Sequence, residues 1–520
     1  MKRLLSLVMA VCLLLGLVPA AMAQTVEPGW KQDTSPVTLS WFVDANWYAN
    51  RWNTANAEYI TKKTGVTIDF VVPAGDTNQE LTVMMASNTL PDILSVGFWQ
   101  STFNKLWEGG FVYPLNELAD KYDMYFYDVA GQATLNWYKQ ADGNTYCMPN
   151  EAYTEQQMRE TGATNANQTF LVRKDLYEAL GSPDLRTPDG FLNALRKLKA
   201  EYPEFKGEPI TPMSIQNAAG YGLGEFIQNF LAIPYEKDGK IYDRMTDPTY
   251  VKWLKVLRQA YVEGLVTADL LIGDTTGEKM NNGRYFCMLQ EYTGAVTANT
   301  LLHQKDPESV YIAVDGPAND NLDKPTNFPG SMTGWLPVFI SKSCKNPDRA
   351  IRFITYWASE EGQRDFFLGE EGVTWEMIDG KETMKPEVIT QYQTDVGAFE
   401  TKYGIMDTYW QLRNPVIVYK WRPQQADYVQ QMQDWANANV DFSGGIYKNL
   451  DPTGESEAAI AATKISTDWE QTLSALISAP SDAEFDTEWN NFLNRRQENG
   501  FDLVVAFRQQ LLEERKAKLQ

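Results

Sequence analysis

Apolar and polar positions along the chain switch repeatedly between a period of two and a period near 3.6. Val37, Leu39, Trp41 and Val43 alternate and predict a strand. A helical segment follows over residues 47–64, stopped by Gly65, a residue suited to a left-handed helix end. Residues 66–72 predict a second strand, 78–88 a helix and 93–96 a third strand. Farther on, residues 250–265 have helical periodicity, and the short apolar runs 285–289, 311–317 and 336–340 read as strands. After the last of these, Asn346 is placed to cap a helix, Pro347 fits its first position and Asp348 suits the positive end of its dipole. Ala350, Ile351, Ile354, Trp357 and Ala358 fall on one face of that helix. Residues 360–368 continue as helix to Gly369, Gly372 opens a loop carrying Trp375, and Asp379-Gly380 marks a turn. Helical segments over 457–475, 487–499 and 501–519 fill the end. Trp489, Phe492 and Leu493 form one packing face, and Leu503, Val504, Phe507 and Leu511 another.

Strands alternating with helices make an open α/β sheet, whose ligands lie beyond the carboxyl ends of its strands. That rule directs Asp44, Asn46 and Trp47 after the first strand, and Phe98 and Trp99 after the third, towards a cleft. Core packing is the competing use of each ring. Later in the chain Tyr409 and Trp410 stand beside Arg413. Its guanidinium suits a carboxylate or sugar hydroxyls held bidentately, and suits an internal salt bridge equally well.

Composition then removes alternatives. The 520 residues are enough for two large lobes. A net charge of −22 argues against nucleic acid and against a polyanion drawn in by the long-range field, while leaving an anionic ligand on a local Arg compatible. The single histidine, His303, rules out a multi-histidine zinc site and has no catalytic motif around it. Residues 1–23 have a basic start at Lys2 and Arg3, an apolar middle of about 15 residues, short of the ~20 a membrane span needs, and Ala21-Met22-Ala23 before Gln24. They read as an export signal. Bulky Val11 before Cys12 argues against a lipid anchor, so the chain is expected to be exported without lipid, periplasmic or at the cell surface. Cys147, Cys287 and Cys344 are too few and too scattered for a disulfide framework and include no CxxC motif. Residues 24–36, polar and turn-rich, are expected to be a mobile lead-in.

The stretch from Ser341 to Lys381, SKSCKNPDRAIRFITYW and then Gly369-Glu-Glu-Gly-Val-Thr-Trp375-Glu-Met-Ile-Asp-Gly-Lys381, resembles the extracellular solute-binding proteins of ABC importers. It is most similar to their long carbohydrate-binding branch, which includes alginate-oligosaccharide binders. Trp107-Glu-Gly-Gly-Phe-Val-Tyr-Pro-Leu, the 144–150 run NTYCMPN, and Phe170-Leu-Val-Arg-Lys-Asp-Leu-Tyr followed by Gly181 and Thr187-Pro-Asp-Gly-Phe-Leu resemble further segments of that family. The resemblance implies an α/β, two-lobed periplasmic-binding-protein-like II fold with a hinge, an interlobe cleft and extra C-terminal helices. Lobe 1 would comprise residues 37–166 and 284–330, and lobe 2 residues 167–283 and 331–520.

It implies an oligosaccharide ligand, delivery to an ABC-transporter membrane permease, a monomer, no cofactor and no catalysis. Glu151 and Tyr153 after the 144–150 crossing, Glu291 and Tyr292 after the 285–289 strand, Trp335 near a hinge, and Trp375 would then join Asp44, Trp47, Trp99 and Arg413 as ligand contacts. At the position of the alginate binders' calcium loop, residues 199–212 lack alternating Asp and Asn ligands, so no metal is expected there. An exported glycoside hydrolase or lyase, or the same fold binding a peptide or other polar solute, are the alternatives. No carboxylate pair in the sequence singles itself out for hydrolysis.

Overall fold

Parallel strands need crossover helices, and the first sheet is assembled in that way. In the computed structural model, which describes residues 27–164, 166–272 and 277–519, its spatial order is Val338–Ile340, Ile93–Ser95, Val37–Val43, Val66–Val71. Val37–Val43 pairs in parallel with both neighbours, Val37 opposite Val66 and Trp41 opposite Ile93, while Val338–Ile340 adds an antiparallel edge. The crossovers Ala55–Thr64 and Thr77–Ser87 are capped by the side chains of Thr54 and Asp76, and end at left-handed Gly65 and Asn88. The first of them starts at Ala55 rather than at 47; the segment before it leaves Trp47 exposed and packs Trp52 against Phe70 and Tyr409. Helix Pro347–Ala358 lays Ile351, Ile354 and Trp357 on Leu39, Trp41, Val43 and Ile93. Trp357 in turn stacks on Phe366 of helix Glu360–Leu368, ring centroids 3.7 Å apart. Pro347 occupies the first helical turn as expected, although the Asn346 side chain makes no capping hydrogen bond.

The second sheet runs Tyr311–Ala313, Gln168–Arg173, Tyr285–Glu291, Thr211–Ile215. Tyr285–Glu291 is central, antiparallel to Gln168–Arg173 and parallel to Thr211–Ile215, and six of its seven residues are buried. Helices Pro188–Glu201, Pro248–Val262, Glu457–Ser478 and Asp482–Glu498 complete this core through Leu195, Trp253, Leu473 and Phe492, among others.

These pairings correct the expected lobe boundaries. Residues 284–330 do not return to the first lobe, since Tyr285–Glu291 and Tyr311–Ala313 are strands of the second sheet. Residues from 338 to about 421 build the first lobe instead, and only from helix Asp427–Ala438 onward does the chain rejoin the second. A short apolar run buried on both faces has no polar side to show which sheet it serves. The lead-in also differs from expectation over its described part. Trp30 is buried between Tyr125 and Tyr356, and Arg349 holds the Ser35 carbonyl at 2.7 Å. Residues 1–23 and 24–26 lie outside the described residues.

The crossings between lobes run side by side. Ala152 pairs with Ser331 in parallel, the Tyr153 amide donates to the Ser331 carbonyl, and the Asn150 Oδ1 accepts from the amides of Trp335 and Leu336. Gly330 makes this approach possible, because a Cβ there would stand 1.9 Å from the Tyr153 hydroxyl oxygen. The last helix, Phe501–Leu519, reaches both lobes: Lys518 donates to the Trp137 carbonyl at 2.7 Å, and Lys516 pairs with Glu236 at 2.8 Å.

Candidate functional site

A cavity of about 910 Å³ opens where the two lobes and the C-terminal helices meet. The first lobe contributes Phe98, Trp99, Trp107 and Trp137; the second contributes Tyr221, Glu225, Gln228, Tyr235 and Arg244. Tyr447, Trp469, Arg496, Phe501 and Arg515 form the third wall. Phe98 and Trp99 follow directly from strand Ile93–Ser95 and meet edge to face at 4.9 Å. Gly97 lets the Trp99 indole fold back over the chain, since a Cβ there would stand 2.4 Å from the ring. Tyr221 and Glu225 belong to a π-helical stretch, Ala218–Phe226, a wider coil that recurs at functional sites. Tyr235 stacks against Tyr447 at 4.9 Å and Phe328 at 5.2 Å, with the Arg244 guanidinium 3.8 Å from its ring centre.

Charge in the cavity is mostly internally balanced. Arg496 pairs with Asp243, Arg508 with Asp451, and the Arg515 guanidinium donates to the carbonyls of Ile446, Lys448 and Asn449. Burial pushes the Glu225 carboxyl up to about 7; Lys448 and Arg244 pull the other way, and Asp451 and Glu291 add to the rise. Glu225 therefore carries a proton for much of its time near neutral pH. Burial likewise raises the Tyr221 hydroxyl, which accepts from Gln168 at 2.7 Å and donates to Glu291 at 3.3 Å.

The ten residues expected to touch a ligand separate into groups. Trp99, half exposed, lines the cavity. Asp44 is buried behind it and accepts from Thr77, Gln100 and the Gly97 amide, so its carboxylate holds the turn that carries Phe98 and Trp99. Burial raises its pKa against those hydrogen bonds. Trp47, 64% exposed, stacks on Trp410 at 5.7 Å, and Trp410 stacks on Trp335 at 4.6 Å. These three indoles make a second aromatic surface.

Glu151 and Arg413 form an ion pair, extended by Asp407 and Arg422. Of the two uses open to Arg413, the internal salt bridge is the one present. Glu291 receives the Gln216 amide group and the Tyr221 hydroxyl in the second lobe. Beside it, Tyr292 opens helix Tyr292–Lys305, its hydroxyl pushed up to about 12 chiefly by burial, with Arg422 and Arg413 lowering it and Asp407 raising it. The Arg413 network thus faces Tyr292 across the lobes.

Two expectations are corrected. Trp375 does not sit in an open loop but begins hairpin strand Trp375–Ile378, buried among Phe367, Leu368 and Met384, its indole N–H on the Gly369 carbonyl at 2.9 Å. Tyr153 is 1% exposed and packs the crossing against Gly330. His303 lies exposed on its helix against Tyr428. The three described cysteines are free and buried.

Most of the second-lobe and C-terminal walls were not among the expected contacts. Ala218-Ala-Gly-Tyr-Gly-Leu-Gly-Glu-Phe226 carried a signal in its three glycines: Gly220 and Gly222 allow close packing, and Gly224 leaves backbone open beside Glu225. The C-terminal helices were assigned to packing alone, and their apolar faces do pack; of the apolar residues named for those faces, Val504, Phe507 and Leu511 also reach the cavity, beside Trp469, Arg496 and Arg515.

Comparison with known proteins places this architecture. Residues 55–373 match the family described as bacterial extracellular solute-binding protein. Lipoprotein LipO of Bacillus subtilis is 21% identical over 323 residues, covering 59% of this chain and 61% of that protein, so the match spans about three fifths of that relative's length. Among solved structures, the alginate-binding protein AlgQ2 without calcium ion superposes with a TM-score of 0.67 at 17% identity, covering 92% of this chain and 98% of that one. The substrate-binding protein FusA of S. pneumoniae in complex with kestose gives 0.65 at 14% identity, with coverage of 92% and 100%. An HMO-binding solute-binding protein of Bifidobacterium longum infantis gives 0.64 at 16% identity, with coverage of 92% and 99%. At these identities the structures speak to the fold, and the family match extends over more than half of the sequence. The chain belongs to the bacterial extracellular solute-binding proteins.

Proposed function

We propose that this chain is the extracytoplasmic solute-binding component of an ABC importer, capturing an oligosaccharide between its lobes and delivering it to a membrane permease. The observation that carries the reading is the cavity of about 910 Å³ walled by both lobes, with flat aromatic faces beside hydrogen-bonding groups. Its volume is near the upper end of the roughly 300–1,000 Å³ usual for small-molecule sites, which suits a ligand of more than one ring. Trp99 and Trp107 offer faces for the C–H side of a pyranose, and Gln228, Glu225 and Arg244 offer groups for its hydroxyls. Relatives named for alginate, kestose and milk-oligosaccharide binding support a saccharide over a peptide.

Because the walls come from two lobes, a ligand touching both stabilises the closed arrangement by its extra affinity for it. The paired crossings at Ala152 and Ser331 are where the chain bends in this scheme. The closed monomer then docks on the permease, which performs the transport, and the chain itself turns nothing over. Export by residues 1–23, without lipid, belongs to the same proposal.

A thermal-shift screen of the mature chain against oligosaccharides, with peptides and amino acids as controls, tests it. Binding to the folded state alone raises the midpoint by mass action. A shift with one glycan class, and that glycan recovered intact, is the expected result. A cleaved glycan would move the chain to the enzymes; a shift with peptides alone would discard the sugar.

A further inference from the structure

One guanidinium in the cavity has, among the described residues, neither a counter-charge nor a set of carbonyls to hold it. Arg244 is 7% exposed and lies flat on Tyr235. Among the described residues, its guanidinium makes one hydrogen bond, from Nη2 to the Asn229 Oδ1 at 2.8 Å, an oxygen that already accepts from the Tyr235 hydroxyl. Its Nε is buried with no partner, and among the described residues no carboxylate comes within ion-pair distance. The other arginines of the cavity wall are engaged: Arg496 by Asp243, Arg508 by Asp451, Arg515 by three carbonyls. Arg413 outside it is saturated by Glu151 and Asp407. Glu225 is the nearby acid, and it does not close a salt bridge with Arg244.

The other unpartnered buried atoms of the wall point to the same chemistry. Gln228 Nε2, Asn449 Nδ2, Trp469 Nε1 and Arg496 Nε are, like Arg244 Nε, nitrogen donors without acceptors, and the remaining atom, Thr333 Oγ1, is a hydroxyl that can donate as well as accept. Buried donors left unmatched are costly, and a buried guanidinium without its anion more so. A group that is all acceptor, with two or three oxygens in one plane or tetrahedron, satisfies such a set better than a hydroxyl does.

We propose that Arg244 is the specificity-determining residue of the cavity, and that the ligand is a saccharide bearing an oxyanion (a uronate carboxylate or a sulfate ester) which pairs with this guanidinium. The proposal rests on the sugar-binding reading above and narrows it. The chain's net charge of −22 does not oppose it, because the attraction is local and short-ranged.

The test is calorimetric titration of the mature chain with matched ligands: oligouronides of several linkages, the same oligouronides after reduction of their carboxyls to primary alcohols, and sulfated oligosaccharides with their desulfated counterparts. At least one acidic form is expected to bind about tenfold or more tightly than its neutral counterpart. Arg244→Gln is expected to abolish that ratio, the acidic form losing more affinity than its neutral counterpart, and Arg244→Lys to keep part of it. Whether the carboxylate or the sulfate arm shows the preference identifies the source of the oxyanion. The wild-type ratio needs no variant, so misfolding of Arg244→Gln does not shelter the idea. Equal binding of every acidic and neutral pair, or an unchanged ratio in a folded Arg244→Gln, overturns the proposal and leaves the sugar reading standing. Failure of every saccharide, acidic or neutral, to bind overturns both.

Discussion

Arg413 sits where a single substitution tests how the first crossing is fastened to its lobe. Its guanidinium donates to Glu151 on the crossing and to Asp407, and Arg422 donates to both oxygens of Asp407 at 3.1 and 3.2 Å. The Arg413 carbonyl also accepts the Glu151 amide at 2.9 Å, at a residue whose φ of 51° is left-handed. The side chains of Arg413 and Glu151 are 15% and 11% exposed, so water screens the pair little. Two anions and two cations balance here. Burial would raise the Asp407 carboxyl, but Arg413 and Arg422 outweigh it and hold the group far below the usual carboxylate range.

Arg413→Met removes one cation of similar length and leaves Glu151 buried with its charge. Breaking a buried pair in this way costs about 3–5 kcal/mol. Glu151→Gln is milder, because Arg413 keeps Asp407; the loss is that of one charge-assisted hydrogen bond, about 1.5–3 kcal/mol. The double variant removes both charges and should cost less than the sum by about 1–3 kcal/mol. Urea unfolding at neutral pH, followed by tryptophan fluorescence and circular dichroism, measures this. The lobes need not unfold together, so the first-lobe transition is the one compared. An Arg413→Met midpoint equivalent to less than about 0.5 kcal/mol, or strict additivity in the double variant, would refute the staple.

Gly330→Ala should destabilise by about 1–3 kcal/mol through overpacking against Tyr153, with Tyr153→Ala recovering part of the loss in the same background. Glu225 gives a pH signature. With an ordinary value of 4.5 and a folded value of about 7, the unfolded chain loses its proton first as pH rises. Stability from this group is therefore fully present below about 4.5, declines through to about 7 and levels off above. Glu225→Gln should flatten that part of a melting-temperature profile, and an unchanged slope would show that the carboxyl titrates normally. Trp99→Ala should change stability by no more than about 0.5 kcal/mol yet weaken ligand binding several-fold in calorimetry. Trp375→Ala should do the reverse, costing about 3–5 kcal/mol with little effect on affinity measured on the folded fraction.

Local signals in the chain were strong enough to locate elements but not to assign them to a lobe. Thr54, Asp76 and Thr187 cap helices through their side chains, and Gly65 ends one at φ 74°. Each depends on neighbours within a few residues, so each can be read from the sequence. The lobe of Tyr285–Glu291 depends on pairing with Gln168–Arg173, more than a hundred residues earlier. Its six buried residues show the same apolar face to both sides, and no period reveals the partner.

The site divides along the same line. The position of Trp99 in the cavity wall was legible because a strand end states where its next residues go, and Asp44, located by the same rule, holds the turn behind it. Its position after strand Val37–Val43 is shared by ligand contacts and by the groups that hold such contacts in place; only Thr77 and Gln100, supplied by other segments, decide between them. Trp375 shows the opposite failure. A tryptophan between Gly372 and Asp379-Gly380 looks free to turn outward, yet its N–H closes on Gly369 and its ring fills the space between Phe367 and Met384. Arg244 had no local motif at all. The proposal for it draws on what is missing around it, the carboxylates that Arg496 and Arg508 have and the carbonyls that hold Arg515, and a missing partner is visible only once all the neighbours are in place. If the proposal for Arg244 holds, a residue that binds by being incomplete is the kind that patterns along a chain are least able to announce.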